Sequence, residues 1–336
     1  VPLTDLPLAE LRTYRGDVAE PADFDAFWAE SLALAREHDL AVTLTPCTGP
    51  ALPALRVDDV RFAGWARDPI AAWLIRPAHL SGPLPVVVEF IGYSGGRGLP
   101  VDRTTWAAAG FAHLVVDTRG MGQDTPDPDP GATTGQWFGG FMTKGIADPA
   151  TYFYRRAYVD CVRAVEVAHA LPALGVDVDT SRVVVRGGSQ GGAFTLAAAG
   201  LSGDRVAAAL VDVPFLCHLR RSVDTAPEGP YPEVVQYLRR HSPEAVEQTF
   251  ATLSYVDGAN FAGRASAPAL FSVALMDPVC PPSTVFAAFN RYGERSGDPA
   301  AEIAKEIDVW EFADHGGGLG FQVQRQLRFL DRLGLR

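Results

Sequence analysis

The stretch from Arg182 to Ala199 constrains this chain more than any other. Val183-Val184-Val185 is an apolar run, Gly187-Gly188-Ser189-Gln190-Gly191 follows, and Gly192-Ala193-Phe194-Thr195-Leu196-Ala197-Ala198-Ala199 is built of good helix formers. A strand that passes into a helix through G-x-S-x-G needs a sharp turn with small neighbours, and that turn lifts the serine hydroxyl above the sheet. A second match, Gly92-Tyr93-Ser94-Gly95-Gly96, follows the strand-like run Pro85–Ile91, but Arg97-Gly98-Leu99-Pro100 after it reads as a loop. Ser189 is therefore the candidate nucleophile, and Ser94 a loop residue beside the site.

The surroundings have a matching rhythm. An amphipathic helix is expected from Asp23 to His38, with Phe24, Phe27, Trp28, Leu32 and Ala35 on one face. Strand-like runs follow at Leu55–Ala63, Ala71–Ile75, Pro85–Ile91 and Phe111–Asp117. A polar Pro/Gly-rich stretch runs from Arg119 to Thr143, then a helix from Thr151 to Leu171. Past Ser189 come strand Val206–Val213, a polar helical segment from Cys217 to Arg264, strand Pro268–Met276, helix Ser283–Tyr292, strand Ile307–Phe312 and a closing helix from Leu319. Alternating apolar strands and helices predict an α/β fold with a mainly parallel central sheet covered on both faces.

A serine nucleophile needs a base, and the base an orienting acid. On a strand–turn–helix nucleophile these follow in the order Ser, Asp/Glu, His. Of seven histidines, His218, His241 and His315 lie after Ser189, and only His315 directly follows a strand, on the Gly-rich loop Ala313–Gly318. His218 and His241 fall in the helical segment and are expected at the surface or facing substrate. Asp277 ends the strand between Ser189 and His315; Asp212, at the end of the preceding strand, is its competitor. Asp314 adjoins His315 and reads as a loop hydrogen-bonding residue. Three roles on three successive strand ends predict acyl transfer to water through an acyl-Ser189 intermediate, with no metal and no cofactor required.

Composition narrows the partners. Asp plus Glu number 40 against 29 Lys plus Arg, a net charge of −11, which a phosphate backbone repels; no nucleic acid is expected. No apolar run is long enough to cross a bilayer. The N-terminus has neither a basic nor an apolar leader region, and the four cysteines, Cys47, Cys161, Cys217 and Cys280, form no C-x-x-C pair. The expectation is a cytoplasmic enzyme with reduced thiols.

These residues resemble carbohydrate esterase family 7, the acetyl xylan esterases and cephalosporin C deacetylases of the α/β-hydrolase fold. The likeness runs through Pro2-Leu3-Thr4-Asp5-Leu6-Pro7-Leu8, Asp23–Trp28, Gly92–Gly98, Asp117–Gly120, Gly139–Ile146 and Tyr152–Arg156. Its most specific stretches are Gly187–Gly192, Asp212–His218 and Met276–Pro282. The resemblance supports Ser189, Asp277 and His315 as the triad. It further implies that the backbone N–H groups of Tyr93 and Gln190 form the oxyanion hole, that Arg119 supports the site, and that the protein assembles as a ring-shaped hexamer. Two positions depart from the family pattern: Met121 stands where a glutamine is usual, and Gly316 where a glutamate is.

The implied function is a serine esterase that removes acetyl groups from small acetylated carbohydrates, such as xylo-oligosaccharides, and related esters such as cephalosporin C. The two departures motivate an alternative, a specialised deacetylase or acyltransferase acting on one acylated metabolite. Tyr93 and Trp106 are candidates for lining a small acyl pocket. The expected organisation is one α/β-hydrolase domain over residues 1–336, with an N-terminal extension over 1–80 and a helical insertion over 217–264.

Overall fold

A computed structural model describes residues 3, 5–48, 52–128, 140–296 and 303–336. Pro2, Thr4 and Gly139 of the resemblance motifs, and 129–139 of the polar stretch, lie outside the described residues. In chain order the elements are α1 (Leu8–Leu11), α2 (Phe24–Arg36), β1 (Thr43–Pro46), β2 (Leu55–Ala63), β3 (Pro69–Pro77), β4 (Leu84–Phe90), α3 (Thr105–Ala108), β5 (Ala112–Val116), α4 (Phe153–Ala170), β6 (Val178–Gly188) and α5 (Gln190–Ser202). They continue as β7 (Ala208–Asp212), α6 (Leu219–Thr225), α7 (Tyr231–Arg240), α8 (Val246–Ser254), α9 (Gly258–Arg264), β8 (Ala269–Ala274), α10 (Pro282–Arg291), β9 (Lys305–Trp310) and α11 (Leu319–Arg332).

The strands form one nine-stranded sheet in the order β1-β2-β3-β5-β4-β6-β7-β8-β9. The three N-terminal strands pair antiparallel with their neighbours; from β5 to β9 every pairing is parallel. Short β1 was not foreseen: Thr43–Pro46 is mostly exposed and lacks an apolar pattern, yet it closes an edge of the sheet. The parallel strands β4, β5 and β8 are buried almost throughout, as strands covered on both faces must be.

The main core lies where α4, α5 and α10 meet the sheet and α2 and α9 pack over those helices; Trp28, Tyr158 and Phe261 are in mutual ring contact, and Tyr158 also meets Phe194. A smaller cluster, Val87, Trp106, Phe111, Val184, Leu210, Phe329 and Leu330, involves α11 and α3. The chain leaves β4, pairs β5 on one side of it, and then returns to pair β6 on the other. That reversal is a topological switch point, and the crevice outside the carboxyl ends of β4 and β6 is where such sheets bind ligands. Tyr93 follows β4 and Ser189 follows β6.

Candidate active site

Ser189 sits between β6 and α5 with φ +57° and ψ −121°, a left-handed conformation costly for any side-chain-bearing residue. The turn is possible because glycines stand at the positions around it where a side chain would collide. A Cβ on Gly187 would overlap the Gly191 backbone, and one on Gly191 would overlap the Phe90 carbonyl. The Ser189 N–H donates to the Asp212 carbonyl at 2.9 Å, which ties the turn to β7.

Asp277 lies just beyond β8 and divides its two oxygens. Oδ1 accepts the backbone N–H groups of Val279 (2.8 Å) and Cys280 (2.9 Å), while Oδ2 faces His315 Nδ1 at 2.8 Å. The His315 loop is brought there by backbone bonding: Met276 N–H donates to the Ala313 carbonyl at 3.1 Å, and Gly317 N–H to the Asp314 carbonyl at 2.9 Å. Asp314 does bond within the loop, its Oδ1 accepting the Gly316 N–H at 2.9 Å. The other ring nitrogen of His315, Nε2, is 2.9 Å from Ser189 Oγ. A carboxylate only accepts, so Nδ1 carries the proton toward Asp277 and Nε2 is left to accept from the serine hydroxyl. The three side chains joined by the sequence reading are thus in one hydrogen-bonded row.

Ser189 and His315 open onto a cavity of about 550 Å³, lined also by Gly92, Tyr93, Ser94, Gly229, Pro230, Glu233 and Val279. Ser94 is a loop residue at the site, with φ +58°. Among the described residues, neither the Tyr93 nor the Gln190 backbone N–H makes a hydrogen bond. Gln190 begins α5, so its N–H also carries the positive end of that helix dipole. Its buried side chain is held from behind: Oε1 accepts from Tyr154 Oη at 2.9 Å, and Nε2 reaches Met121 Sδ at 3.3 Å and the Ile91 carbonyl at 3.4 Å. The Met121 sulfur accepts from Ser94 N–H as well, at 3.4 Å. Met121 therefore links the loop after β4 to the start of α5 by weak thioether contacts.

Several expectations change. Trp106 does not line the cavity; its ring packs against Phe111 and beneath the Arg186 guanidinium, in the smaller core cluster. Arg119 is also outside the cavity. It is buried, pairing Asp160 through Nε (2.6 Å) and Nη2 (2.9 Å), and Asp68 (2.8 Å) and Asp127 (3.2 Å) through Nη1. These ion pairs anchor the turn that carries Met121. His218 is neither at the surface nor facing substrate: its ring is buried beside Tyr14, and Gly16 leaves room for it. His241 is exposed at the end of α7. Asp212 turns its carboxylate away from His315, to Ser272 Oγ (2.9 Å) and Gln326 Nε2 (2.6 Å).

Glu233, on α7, was not anticipated. Nothing local marks it, because its partner Tyr93 lies 140 residues earlier in the chain. A carboxylate oxygen, a ring nitrogen and a thiol of Asp277, His315 and Cys280 lie within 4.8 Å of one another, a donor set a metal could use. Two members of that set are already engaged: Asp277 Oδ1 accepts two backbone N–H groups, and Asp277 Oδ2 faces His315 Nδ1, the pairing acyl transfer uses.

Residues 1–333 match the family described as acetyl xylan esterase (AXE1). The acetyl esterase Axe7A of Xylanibacter ruminicola is 31% identical over 277 residues, covering 80% of this chain; the chain spans 60% of that protein's length. An acetyl xylan esterase from Paenibacillus sp. R4 superposes with a TM-score of 0.86 at 38% identity, covering 97% of this chain and 99% of that one. Acetyl xylan esterase 1 from Thermoanaerobacterium sp. JW/SL YS485 gives 0.85 at 32% identity, with coverage of 98% and 99%.

Proposed function

The chain belongs to the acetyl xylan esterase family, and from that premise we propose that it is a serine esterase that removes acetyl groups from small acetylated carbohydrates and related acetyl esters. The single observation that carries the reading is the continuous row Asp277–His315–Ser189 at 2.8 and 2.9 Å, on the wall of a cavity. His315 Nε2 takes the Ser189 proton as Oγ attacks the acetyl carbonyl. The Asp277 carboxylate stabilises the imidazolium that forms. The oxyanion of the tetrahedral intermediate is received by the backbone N–H groups of Tyr93 and Gln190, each worth on the order of 100- to 1,000-fold in rate. His315 then returns its proton to the departing sugar oxygen. A water activated by the same ring releases acetate from acyl-Ser189.

Tyr93, Pro230 and Val279 line the cavity beside Ser189 and His315, giving an acyl group an apolar wall. We further propose a cytoplasmic hexamer; the four cysteines are unpaired, in keeping with a reducing compartment. Among the described residues no helix is long and apolar enough to cross a membrane.

The test is acetate release from acetylated xylo-oligosaccharides, cephalosporin C and p-nitrophenyl acetate, with p-nitrophenyl octanoate for comparison. Turnover of several acetyl esters and poor use of octanoate are expected. Activity on one acetylated metabolite alone would favour the specialised alternative. Ser189→Ala should lower kcat by roughly 10⁴- to 10⁶-fold; a variant with full activity would overturn the mechanism.

A further inference from the structure

Glu233 comes from the helical segment between β7 and β8, yet its carboxylate ends on Tyr93. Tyr93 Oη lies 2.9 Å from Oε1 and 2.8 Å from Oε2 of Glu233. The same phenol oxygen accepts the Phe141 N–H at 3.0 Å, and Glu233 Oε2 accepts the Met142 N–H at 3.2 Å. The hydroxyl is therefore fixed as donor in one direction and acceptor in the other. The ring between is flanked edge-on by Phe141 and Phe215.

Tyr93 needs such a clamp. It sits on a loop with Gly92 before it and Gly95 and Gly96 after it, so the local backbone is poorly restrained by its own sequence. An oxyanion donor works only when its N–H is already aimed at the position the oxyanion will occupy, about 2.7–3.1 Å away. Burial, and then the Glu233 charge beside it, raises the Tyr93 phenol far above its ordinary range. The hydroxyl accordingly stays a donor to Glu233 throughout the working pH range.

We propose that Glu233 is a positioning residue for the oxyanion hole: by holding the Tyr93 hydroxyl, it aims the Tyr93 backbone N–H at the reacting carbonyl. This rests on the reading of Tyr93 as an oxyanion donor. Glu233 makes no hydrogen bond to Ser189 or His315, and its side chain bonds Tyr93 and the Met142 N–H, so it acts through Tyr93.

The experiment measures kcat and KM for p-nitrophenyl acetate and for its thionoacetate counterpart, whose sulfur is a poor guest for an oxyanion hole. Wild type should strongly favour the oxygen ester. Glu233→Ala and Tyr93→Phe should each lower kcat on that ester by about 10- to 100-fold, part of the loss expected for removing a donor outright. KM should change less than about twofold, because the stabilisation belongs to the transition state. The preference for oxygen over sulfur should shrink in both variants. Glu233→Gln, which still accepts from the phenol, should recover most of the lost kcat. The double variant should be no slower than the slower single one, as for two parts of one clamp. Tyr93→Phe removes one oxygen and carries the test alone if Glu233→Ala does not fold. Wild-type kcat in the single variants, or a lowered kcat with the oxygen-to-sulfur preference intact, would overturn the proposal. A wild-type enzyme with no such preference would instead overturn the oxyanion reading beneath it.

Discussion

Asp212 meets Ser189 through its backbone carbonyl alone, at 2.9 Å, while its carboxylate points to Ser272 and Gln326. Asp277 meets His315 through its carboxylate. The two strand-end acids that compete on sequence are thus separated by direction. Asp277→Asn should reduce kcat by roughly 10⁴-fold, because an amide favours the wrong histidine tautomer. Asp212→Asn should stay within about tenfold of wild type, since the orienting hydrogen bond is intact. Steady-state kinetics of the two variants on p-nitrophenyl acetate decides the matter, and equal losses would refute the assignment.

The buried Gln190 side chain depends on Tyr154. Its Oε1 accepts from the Tyr154 hydroxyl, and both residues are fully buried. Tyr154→Phe leaves that oxygen without a partner, at a cost of about 1–3 kcal/mol. Urea unfolding should show the midpoint falling with an unchanged slope. An unaltered midpoint would mean that Gln190 finds another donor.

Glycines in this fold separate into those that are required and those that are not. Gly187→Ala and Gly191→Ala both force a Cβ into backbone at the Ser189 turn. Each should destabilise by about 1–3 kcal/mol or more and displace the nucleophile. Gly320, early in α11, has nothing within 4 Å of a built Cβ. Gly320→Ala should raise stability by up to about 1 kcal/mol, through lost freedom of the unfolded chain. Thermal unfolding together with kcat for the three variants checks the contrast.

Asp257 predicts a pH dependence of stability. Burial pushes its carboxyl up from 3.8 to about 6, although it accepts N–H groups from Leu219, Ala259 and His218. Between those values the native state holds more protons than the unfolded chain. Its contribution is therefore complete at or below about pH 4 and is lost as pH rises through about 6. Asp257→Asn removes this component, so the variant's urea midpoint should decline less than that of wild type over the same window. Parallel declines would count against it.

The Ser189 turn, the end of β8 and the loop after β9 were legible because each is a local pattern. Apolar runs of strand length, glycines at a forced turn and a helix-forming tail can be read within about ten residues. Chain order then selected one acid and one histidine from several. Helix ends differed by one or two residues where Asp23–His38 became Phe24–Arg36 and Thr151–Leu171 became Phe153–Ala170, because the flanking residues adopt turn and 3-10 geometry. Exposed Thr43–Pro46 was illegible as a strand, since its pairing with Thr43↔Arg61 to Pro46↔Asp58 register comes wholly from β2.

By itself, the sequence determined the α/β alternation, the strained serine turn and the order in which Ser189, Asp277 and His315 follow strand ends, all consequences of short-range periodicity and backbone sterics. Only the tertiary structure decided the rest. It put Trp106 in the smaller core cluster and away from the cavity, surrounded Arg119 with Asp68, Asp127 and Asp160, and buried His218 beneath Tyr14. It brought Glu233 to Tyr93 across 140 residues. Each of these depends on where separate elements meet after the sheet is assembled, and a polar partner that distant leaves no spacing for a sequence to display.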